Sequence, residues 1–223
     1  MYSTYKFLAK FEGKTRQPFL KIGMELFYSE GPDIVMMLKD KGYKIFLDLK
    51  LHDIPNTVKG GMRSLRDLRV DMVNVHASGT IDMMKAALDG LTRPNGTRPL
   101  LVAVTQLTSI SQEQLTQELL IPEQMDKVVM HYALNAKAAG LDGVVCSPLE
   151  AKKIHESIGE NFLTITPGIR FADSDKGDQA RVTTPAQAKA LGADYIVVGR
   201  PITQAKNPVE VYKRCVHEFC EGA

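Results

Sequence analysis

Seven short apolar runs rich in β-branched residues recur along the chain, and this repetition limits the possible folds more than any other feature. The runs are PFLKIG at 18–23, YKIFLDLK at 43–50, MVNVHA at 72–77, PLLVAVTQ at 99–106, DGVVCS at 142–147, FLTITPG at 162–168 and DYIVVG at 194–199. Helix-like segments separate them, and strand followed by helix, repeated every roughly 25–45 residues, is typical of parallel βαβ units. The sequence therefore predicts an α/β protein with a parallel sheet.

The segments between the runs carry helix boundary signals. Several begin with proline at the expected first helical position and end on glycine, which is the usual asymmetry of helix termini. Examples are SPLEAKKIHESIG at 147–159 and TPAQAKALGA at 184–193. No linker, low-complexity tract or charge block interrupts the alternation, so we predict a single domain over residues 1–223.

The polar residues at the strand ends favour a closed barrel over an open doubly wound sheet. No G-x-G-x-x-G motif follows the first run, as it would in a dinucleotide-binding sheet. Nearly every run instead ends on a polar or reactive residue: Lys21, Lys50, His76, Gln106, Ser147, Thr166 and Arg200. In a barrel the carboxyl ends of all strands face one mouth, so these side chains would converge on one site. We predict a (β/α)8 TIM barrel.

Composition excludes several classes of protein. The 223 residues are 44% hydrophobic and 24% charged, with a formal net charge of +2, which argues against disorder and against nucleic acid as a partner. The three cysteines, Cys146, Cys215 and Cys220, have no metal-ligand spacing and suit a reducing compartment. No secretion signal or membrane span is recognisable. We expect a cytoplasmic protein that has no membrane partner.

The run FLDLKLHDIPNTV at 46–58 is unusual because it places charges within an apolar strand. Side chains alternate along a strand, so Asp48 and Lys50 share one face, about 6.5–7 Å apart at their attachment points. Such a pair attracts by roughly 4 kcal/mol at about 4 Å and an effective dielectric near 20, whereas desolvation costs several kcal/mol per ion. Stability alone is therefore a poor reason for it. The alternatives are an ion pair on a solvent-facing edge strand and a functional pair in the barrel mouth, and Asp53, beyond the strand end, need not face the same way.

Two glycine-containing segments follow the last two runs, where barrels often bind phosphate with backbone N–H groups. They are PGIR at 167–170 and GRPIT at 199–203, in which Arg170 and Arg200 can add charge-assisted hydrogen bonds. An ordinary turn with a solvated arginine is the alternative for either one alone. Since His52 and His76 lack zinc-ligand spacing, we predict no metal site.

These segments resemble the orotidine 5′-phosphate decarboxylase family. DLKLHDIPNTV resembles its signature, and FLKIGMELFYSEGP, VNVHASG, AVTQLTS, GLDGVVCS, LTITPGIR and IVVGRPIT resemble its other blocks in the same order. The resemblance covers essentially the whole chain. It implies decarboxylation of orotidine 5′-monophosphate to uridine 5′-monophosphate and carbon dioxide, in pyrimidine biosynthesis, without metal or organic cofactor.

The resemblance also implies roles for individual residues. Lys50 would protonate the ring carbon, and Asp48 would lie beside the departing carboxylate. Lys21 would join these two residues in a row of alternating charges and contact the ribose. Asp53 would enter the active site of the other subunit, so the resemblance implies a homodimer. Arg200 and Gln179 would bind the phosphate, and the remaining substrate contacts would come from Ile54, Thr57, Thr108, Pro167, Arg170 and Gly199.

One departure from the family is expected at the amino terminus. The family's first strand, which ends in a ribose-binding aspartate, should precede the first helix, but MYSTYKFLAKF reads as that helix already. We expect this sequence to lack about a dozen residues, with the first strand among them. Two alternatives remain: a truncated, inactive paralogue that binds nucleotide, and a magnesium-dependent sugar-phosphate decarboxylase or synthase of the same superfamily.

Overall fold

The computed structural model describes residues 2–171 and 182–221, and these fold into two compact units. The first unit comprises Met1–Ala103 with Ala138–Asp142, and the second comprises Val104–Lys137 with Gly143–Ala223. That the two units belong to one domain over residues 1–223 stays a prediction.

Within residues 2–171 and 182–221, seven strands form where the seven apolar runs predict them. They are β1 Leu20–Gly23, β2 Ile45–Leu51, β3 Met72–His76, β4 Leu100–Val104, β5 Gly143–Val145, β6 Leu163–Thr166 and β7 Tyr195–Ile196. In the first unit the strand order is β1-β2-β3-β4, and in the second it is β5-β6-β7. Strand β2 pairs in parallel with β1 and β3, and β6 does so with β5 and β7. The prediction of an α/β protein with parallel strands is confirmed, and the closed eight-stranded barrel stays a prediction.

Helices fill the connections between the strands. They are α1 Tyr2–Ala9, α2 Met24–Glu30, α3 Asp33–Asp40, α4 Pro55–Arg66, α5 Thr80–Leu91, α6 Gln112–Gln117, α7 Met125–Ala138, α8 Pro148–Ile158, α9 Pro185–Ala190, α10 Arg200–Thr203 and α11 Pro208–Val216. A 3₁₀ turn follows β3 at Ala77–Gly79, and a π-helical turn follows α11 at His217–Glu221. No helix within residues 2–171 and 182–221 combines the length and apolar character needed to cross a membrane.

The predicted helix starts rest on local capping chemistry. Helices α4, α8, α9, α10 and α11 have proline in the first turn, where no intrahelical N–H bond is lost. Three helices also begin with reciprocal capping boxes, formed by Ser111 with Gln114, Ser147 with Glu150 and Thr184 with Gln187. The sequence patterns did not predict α2, α6 or α10, each of which spans seven residues or fewer.

At three places, the aspartate just before one strand contacts the strand that precedes it in the sequence. Each of these aspartates accepts a hydrogen bond from a backbone N–H at the start of that earlier strand and also contacts a lysine, arginine or histidine side chain. Asp71 Oδ2 accepts from the Ile45 backbone N–H at 2.7 Å and from Lys39 Nζ at 2.6 Å. Asp142 Oδ2 accepts from the Leu101 N–H at 2.7 Å and pairs with Arg98. Asp194 Oδ2 accepts from the Thr164 N–H at 2.7 Å and lies 3.1 Å from His155 Nε2. These bonds satisfy backbone groups at the amino ends of β2, β4 and β6, so the carboxyl ends are the ends available for chemistry.

The three cysteines form no disulfide. Cys146 and Cys215 are buried and Cys220 is exposed. Burial, with smaller contributions from Glu218 and Cys220, raises the pKa of the Cys215 thiol to about 12, so this thiol stays protonated and unreactive at neutral pH.

Candidate active site

Strand β2 loses its regular register where its charged residues lie. Leu47 pairs with Val73 and Leu51 with Val75, so four steps along β2 correspond to only two along β3. Lys50 lies within this irregular stretch and has a φ of 53°, the left-handed region that a lysine rarely adopts. Backbone strain of this kind costs roughly 1–3 kcal/mol and is concentrated at functional sites.

Asp48 lies between two lysines. Its Oδ2 is 2.9 Å from Lys21 Nζ on β1, and its Oδ1 accepts a hydrogen bond of 2.6 Å from Lys50 Nζ. The Asp48 side chain is 9% exposed, while those of Lys21 and Lys50 are 33% and 25% exposed. The structure thus brings together three of the four predicted catalytic residues, and the cluster carries a net charge of +1.

Asn74 of β3 completes this arrangement, although it was not among the predicted site residues. Its Nδ2 donates to Asp48 Oδ1 at 2.7 Å, and its Oδ1 accepts from the Lys50 backbone N–H at 2.8 Å. The residue is 1% exposed. An asparagine in the middle of the apolar run MVNVHA is a signal that could have identified it, because a buried amide requires partners for both of its ends.

The surroundings of Asp48 favour its ionised form. Burial by itself raises the pKa of the carboxyl group, but the charge of Lys21, the hydrogen bond and charge of Lys50 and the hydrogen bond from Asn74 together outweigh it. The pKa of Asp48 is therefore lower than its ordinary value, and at neutral pH the group is a carboxylate held between two ammonium groups.

Two histidines lie next to the charged cluster. The rings of His52 and His76 are 5.6 Å apart between centroids and tilted by 39°. Burial, followed by the charges of His52 and Lys50, lowers the pKa of His76, although Asp48 acts in the opposite direction. His76 is therefore neutral at pH 7. Among the residues that the structure describes, no three histidine, cysteine or acidic side chains are grouped so as to hold a metal ion.

The loop after β2 and the first turn of α4 carry the remaining candidates of the first unit. Asp53, Ile54 and Thr57 are all exposed, and Ile54 is 67% exposed. Asp53 Oδ1 accepts from the Ile54 backbone N–H at 2.6 Å. None of the described contacts joins Asp53 to the cluster of Lys21, Asp48 and Lys50, so within this chain the structure does not bring the fourth predicted catalytic residue to the other three.

The predicted phosphate residues lie after β6 and β7 in the second unit. These two strands are neighbours, and the Val197 N–H donates to the Thr166 carbonyl at 2.9 Å. Pro167 and Arg170 follow β6 and are half-buried, and the Arg170 side chain donates to the Ile169 carbonyl at 2.8 Å. Gly199 and Arg200 follow β7 and are exposed at the start of α10.

Two further candidate site residues, Thr108 and Gln179, fall within the sequence range of the second unit. Thr108 is 7% exposed and follows β4. Gln179 lies outside the described residues, so the structure does not test its predicted contact with phosphate.

Comparison with known proteins agrees with the resemblance. The model of the orotidine 5′-phosphate decarboxylase / HUMPS family matches residues 5–215. An orotidine 5′-phosphate decarboxylase of Bacillus cereus (strain AH187) is 57% identical over 211 residues, which are 93% of this chain and 88% of the relative.

Solved structures give the same result. The orotidine 5′-phosphate decarboxylase of Lactobacillus acidophilus superposes with a TM-score of 0.86 at 46% identity, over 98% of this chain and 94% of the other. That of Pyrococcus horikoshii OT3 gives a TM-score of 0.68 at 26% identity, over 89% and 85%. A family match across nearly the whole chain confirms the predicted membership: this chain belongs to the orotidine 5′-phosphate decarboxylase / HUMPS family.

Proposed function

We propose that this protein decarboxylates orotidine 5′-monophosphate to uridine 5′-monophosphate and carbon dioxide, in pyrimidine nucleotide biosynthesis in the cytoplasm, using neither metal nor organic cofactor. The observation that carries the proposal is the buried Asp48 carboxylate held between Lys21 and Lys50. Family membership and 57% identity to a decarboxylase support the choice of substrate.

In the proposed reaction the bond between the pyrimidine ring and its carboxylate breaks, and carbon dioxide leaves. The electron pair left on the ring carbon takes a proton from the Lys50 ammonium group, and solvent later returns a proton to the lysine. Asp48 faces the substrate carboxylate with a like charge that disappears as carbon dioxide forms, so its repulsion is relieved in the transition state. This role requires Asp48 to be ionised, and its lowered pKa ensures that state at neutral pH.

We further propose that the other predicted residues bind the substrate. Lys21 contacts the ribose, Thr57 and Thr108 line the pyrimidine and phosphate side of the pocket, and Ile54 is a further substrate contact. The phosphate contacts come from Gln179 and from the segments after β6 and β7, which supply Pro167, Arg170, Gly199 and Arg200. The half-buried Arg170 and the exposed Arg200 support this assignment because guanidinium groups match phosphate geometry.

We propose a homodimer in which Asp53 of each subunit enters the site of its partner. The exposure of Asp53 and Ile54 directly after the charged strand supports this arrangement, because both side chains can reach a second subunit. The seven parallel strands and the likeness to the Lactobacillus acidophilus structure support a (β/α)8 barrel as the fold.

The test is a spectrophotometric assay of orotidine 5′-monophosphate loss with purified protein in the presence of chelator, with Lys50→Ala as the control. We expect turnover by the wild type and none by the variant. A requirement for added magnesium would favour a sugar-phosphate enzyme of the superfamily. Absence of turnover, combined with a rise in Tm on adding uridine 5′-monophosphate, would favour the nucleotide-binding paralogue.

A further inference from the structure

We propose that Asn74 is a positioning residue for the decarboxylation: its amide fixes the Lys50 backbone and the Asp48 carboxylate in one geometry. The inference rests on the function proposed above, because it concerns the two residues that would perform the reaction. Asn74 reaches the reacting atoms only through these two residues.

The hydrogen bonds of Asn74 leave it one orientation. Its oxygen accepts from the Lys50 N–H at 2.8 Å, so its NH₂ group must be the end that faces Asp48 Oδ1 at 2.7 Å. Exchanging the two ends would place the NH₂ group against an N–H donor and the carbonyl oxygen against a carboxylate. At 1% exposure, no bulk water can substitute for either partner. The amide is therefore a fixed link between one backbone group and one charge.

The Lys50 end of this link stabilises a backbone that lysine disfavours. Between Leu47 and Leu51 strand β2 departs from regular pairing with β3, and Lys50 has a φ of 53° in that stretch. The Lys50 N–H donates to the Asn74 side chain on β3. A side-chain oxygen thus satisfies a backbone donor at the point where the register shifts. Loss of this acceptor would leave the left-handed conformation without its cross-strand support, and the Lys50 ammonium group would change position.

The Asp48 end holds the carboxylate in place. Lys50 Nζ and Asn74 Nδ2 both donate to Oδ1, while Lys21 Nζ lies 2.9 Å from Oδ2. The two lysines have flexible side chains that are a quarter to a third exposed, whereas the asparagine is rigidly buried. Asn74 is therefore the partner that fixes the rotation of the carboxylate, and the lysines follow it.

A buried asparagine can also serve stability alone, and Thr164 provides a matched control for that role. Thr164 is 0% exposed in β6, its hydroxyl donates to Asp194 Oδ2 at 3.0 Å, and it accepts from the Asp194 N–H at 3.2 Å. Like Asn74, it is a buried residue whose side chain makes one hydrogen bond to a carboxylate and one to a backbone N–H. It lies in the second unit and has no place in the proposed chemistry, so Thr164→Val removes comparable bonds without touching Asp48 or Lys50.

The experiment compares wild type, Asn74→Ala and Thr164→Val at matched folded fractions, with kcat and KM for orotidine 5′-monophosphate measured across pH. For Asn74→Ala we expect kcat to fall by about 100-fold, the effect of misplacing a reacting group by ~1 Å, with KM within about threefold. Asn74 donates a hydrogen bond to the ionised form of Asp48. Loss of this bond should therefore move the acid limb of the pH profile of kcat/KM to higher pH by about one unit. Thr164→Val should keep the wild-type kcat and pH profile.

Asn74→Asp tests the same link if Asn74→Ala does not fold. It keeps an acceptor for the Lys50 N–H and places a second carboxylate against Asp48, so the acid limb should again move upward. Apart from Asn74, the groups that shift the pKa of Asp48 are Lys21 from β1 and Lys50 from β2, and both are unchanged in the two variants. His76 of β3, whose own pKa responds to Asp48, is unchanged as well.

Titration of Asp48 by carboxyl carbon NMR separates this inference from the proposed function. If the wild type does not turn over orotidine 5′-monophosphate, the function is wrong, yet a higher Asp48 pKa in the Asn74 variants would still support the link. Asn74 variants that keep the wild-type kcat, or that lose activity only in proportion to Thr164→Val, would overturn the positioning role. An unchanged Asp48 pKa in the Asn74 variants would do so as well.

Discussion

At the scale of single residues, the site depends on a lysine whose backbone conformation suits glycine better. Lys50 has a φ of 53°, and its side chain bonds to a carboxylate two positions earlier in the same strand. Strict alternation predicts that Asp48 and Lys50 share a face, and their 2.6 Å contact agrees with this, although the strand between them is irregular. The strained conformation accompanies the pairing of the two charges.

The strain at position 50 predicts an unusual order of stability for two inactive variants. At ordinary strand positions glycine is less stable than alanine by roughly 0.5–1 kcal/mol. Because glycine accepts positive φ without a steric penalty, we expect Lys50→Gly to be more stable than Lys50→Ala by up to about 1 kcal/mol. Urea unfolding of both variants measures the difference. The ordinary order, with alanine the more stable, would contradict the backbone strain.

The pKa of Asp48 predicts how stability depends on pH. A carboxyl group whose pKa is lowered by folding contributes stability above its unfolded pKa, near 3.9, and loses it as pH falls through the folded value. We expect Asp48→Asn, which leaves two ammonium groups without their counter-charge, to destabilise by about 1–3 kcal/mol at pH 7. This difference should shrink below about pH 4.

Denaturant unfolding at several pH values measures that difference, with Asp82→Asn as the control because its carboxylate is exposed. The control should stay close to wild type at every pH. A difference between wild type and Asp48→Asn that is equally large at pH 7 and pH 3 would contradict the lowered pKa.

At the scale of elements, the close approach of α4 and α5 depends on one glycine. A Cβ on Gly90 of α5 would lie 2.2 Å from the Lys59 carbonyl oxygen of α4, and 2.9 Å from its carbonyl carbon. Backbone atoms cannot move aside without separating the two helices. A Cβ on Gly60, within α4 itself, would meet nothing within 4 Å. The two helical glycines therefore differ in packing and not in helix propensity.

This difference predicts opposite effects of the same substitution. Gly60→Ala should stabilise the protein by up to about 1 kcal/mol through helix propensity. Gly90→Ala should destabilise it by about 1–3 kcal/mol, because overpacking outweighs that gain. Thermal and urea unfolding of the two variants provide the measurement, and a stabilising Gly90→Ala would show that α4 and α5 are not so closely packed.

At the scale of the whole molecule, the proposed dimer predicts that two inactive variants restore activity when mixed. Lys50→Ala and Asp53→Ala each damage both sites of their own homodimer. In a mixed dimer one site combines an intact Lys50 with the partner's intact Asp53, and the other site loses both. Equal mixing with random exchange therefore gives about a quarter of wild-type specific activity.

The assay is turnover of orotidine 5′-monophosphate after the two variants are mixed and allowed to exchange subunits, with each variant alone as the control. A mass of twice 24.7 kDa by analytical ultracentrifugation should accompany it. Activity no greater than the sum of the separate variants would place Asp53 in the site of its own subunit or outside the site.

The sequence by itself determined where the strands and most of the helices form. Alternation of apolar residues, proline in the first turn and serine or threonine caps act over a few neighbouring residues, so they can be read from the chain directly. The missed helices α2, α6 and α10 span seven, six and four residues, so each repeats the apolar pattern over two turns at most. Asp48 and Lys50 are also only two positions apart in the sequence, so their place on one face of the strand, and hence their pairing, could be predicted from the sequence.

Only the tertiary structure decided how distant residues reach that pair, although the family resemblance implied Lys21 as one of them. Lys21 meets Asp48 because β1 pairs with β2, and Asn74 meets both charged residues because β3 lies on the other side with its register shifted by two residues. The left-handed conformation of Lys50 belongs to the same arrangement. Register and bulges depend on how side chains pack between strands far apart in the chain, and no local pattern in the sequence encodes that packing.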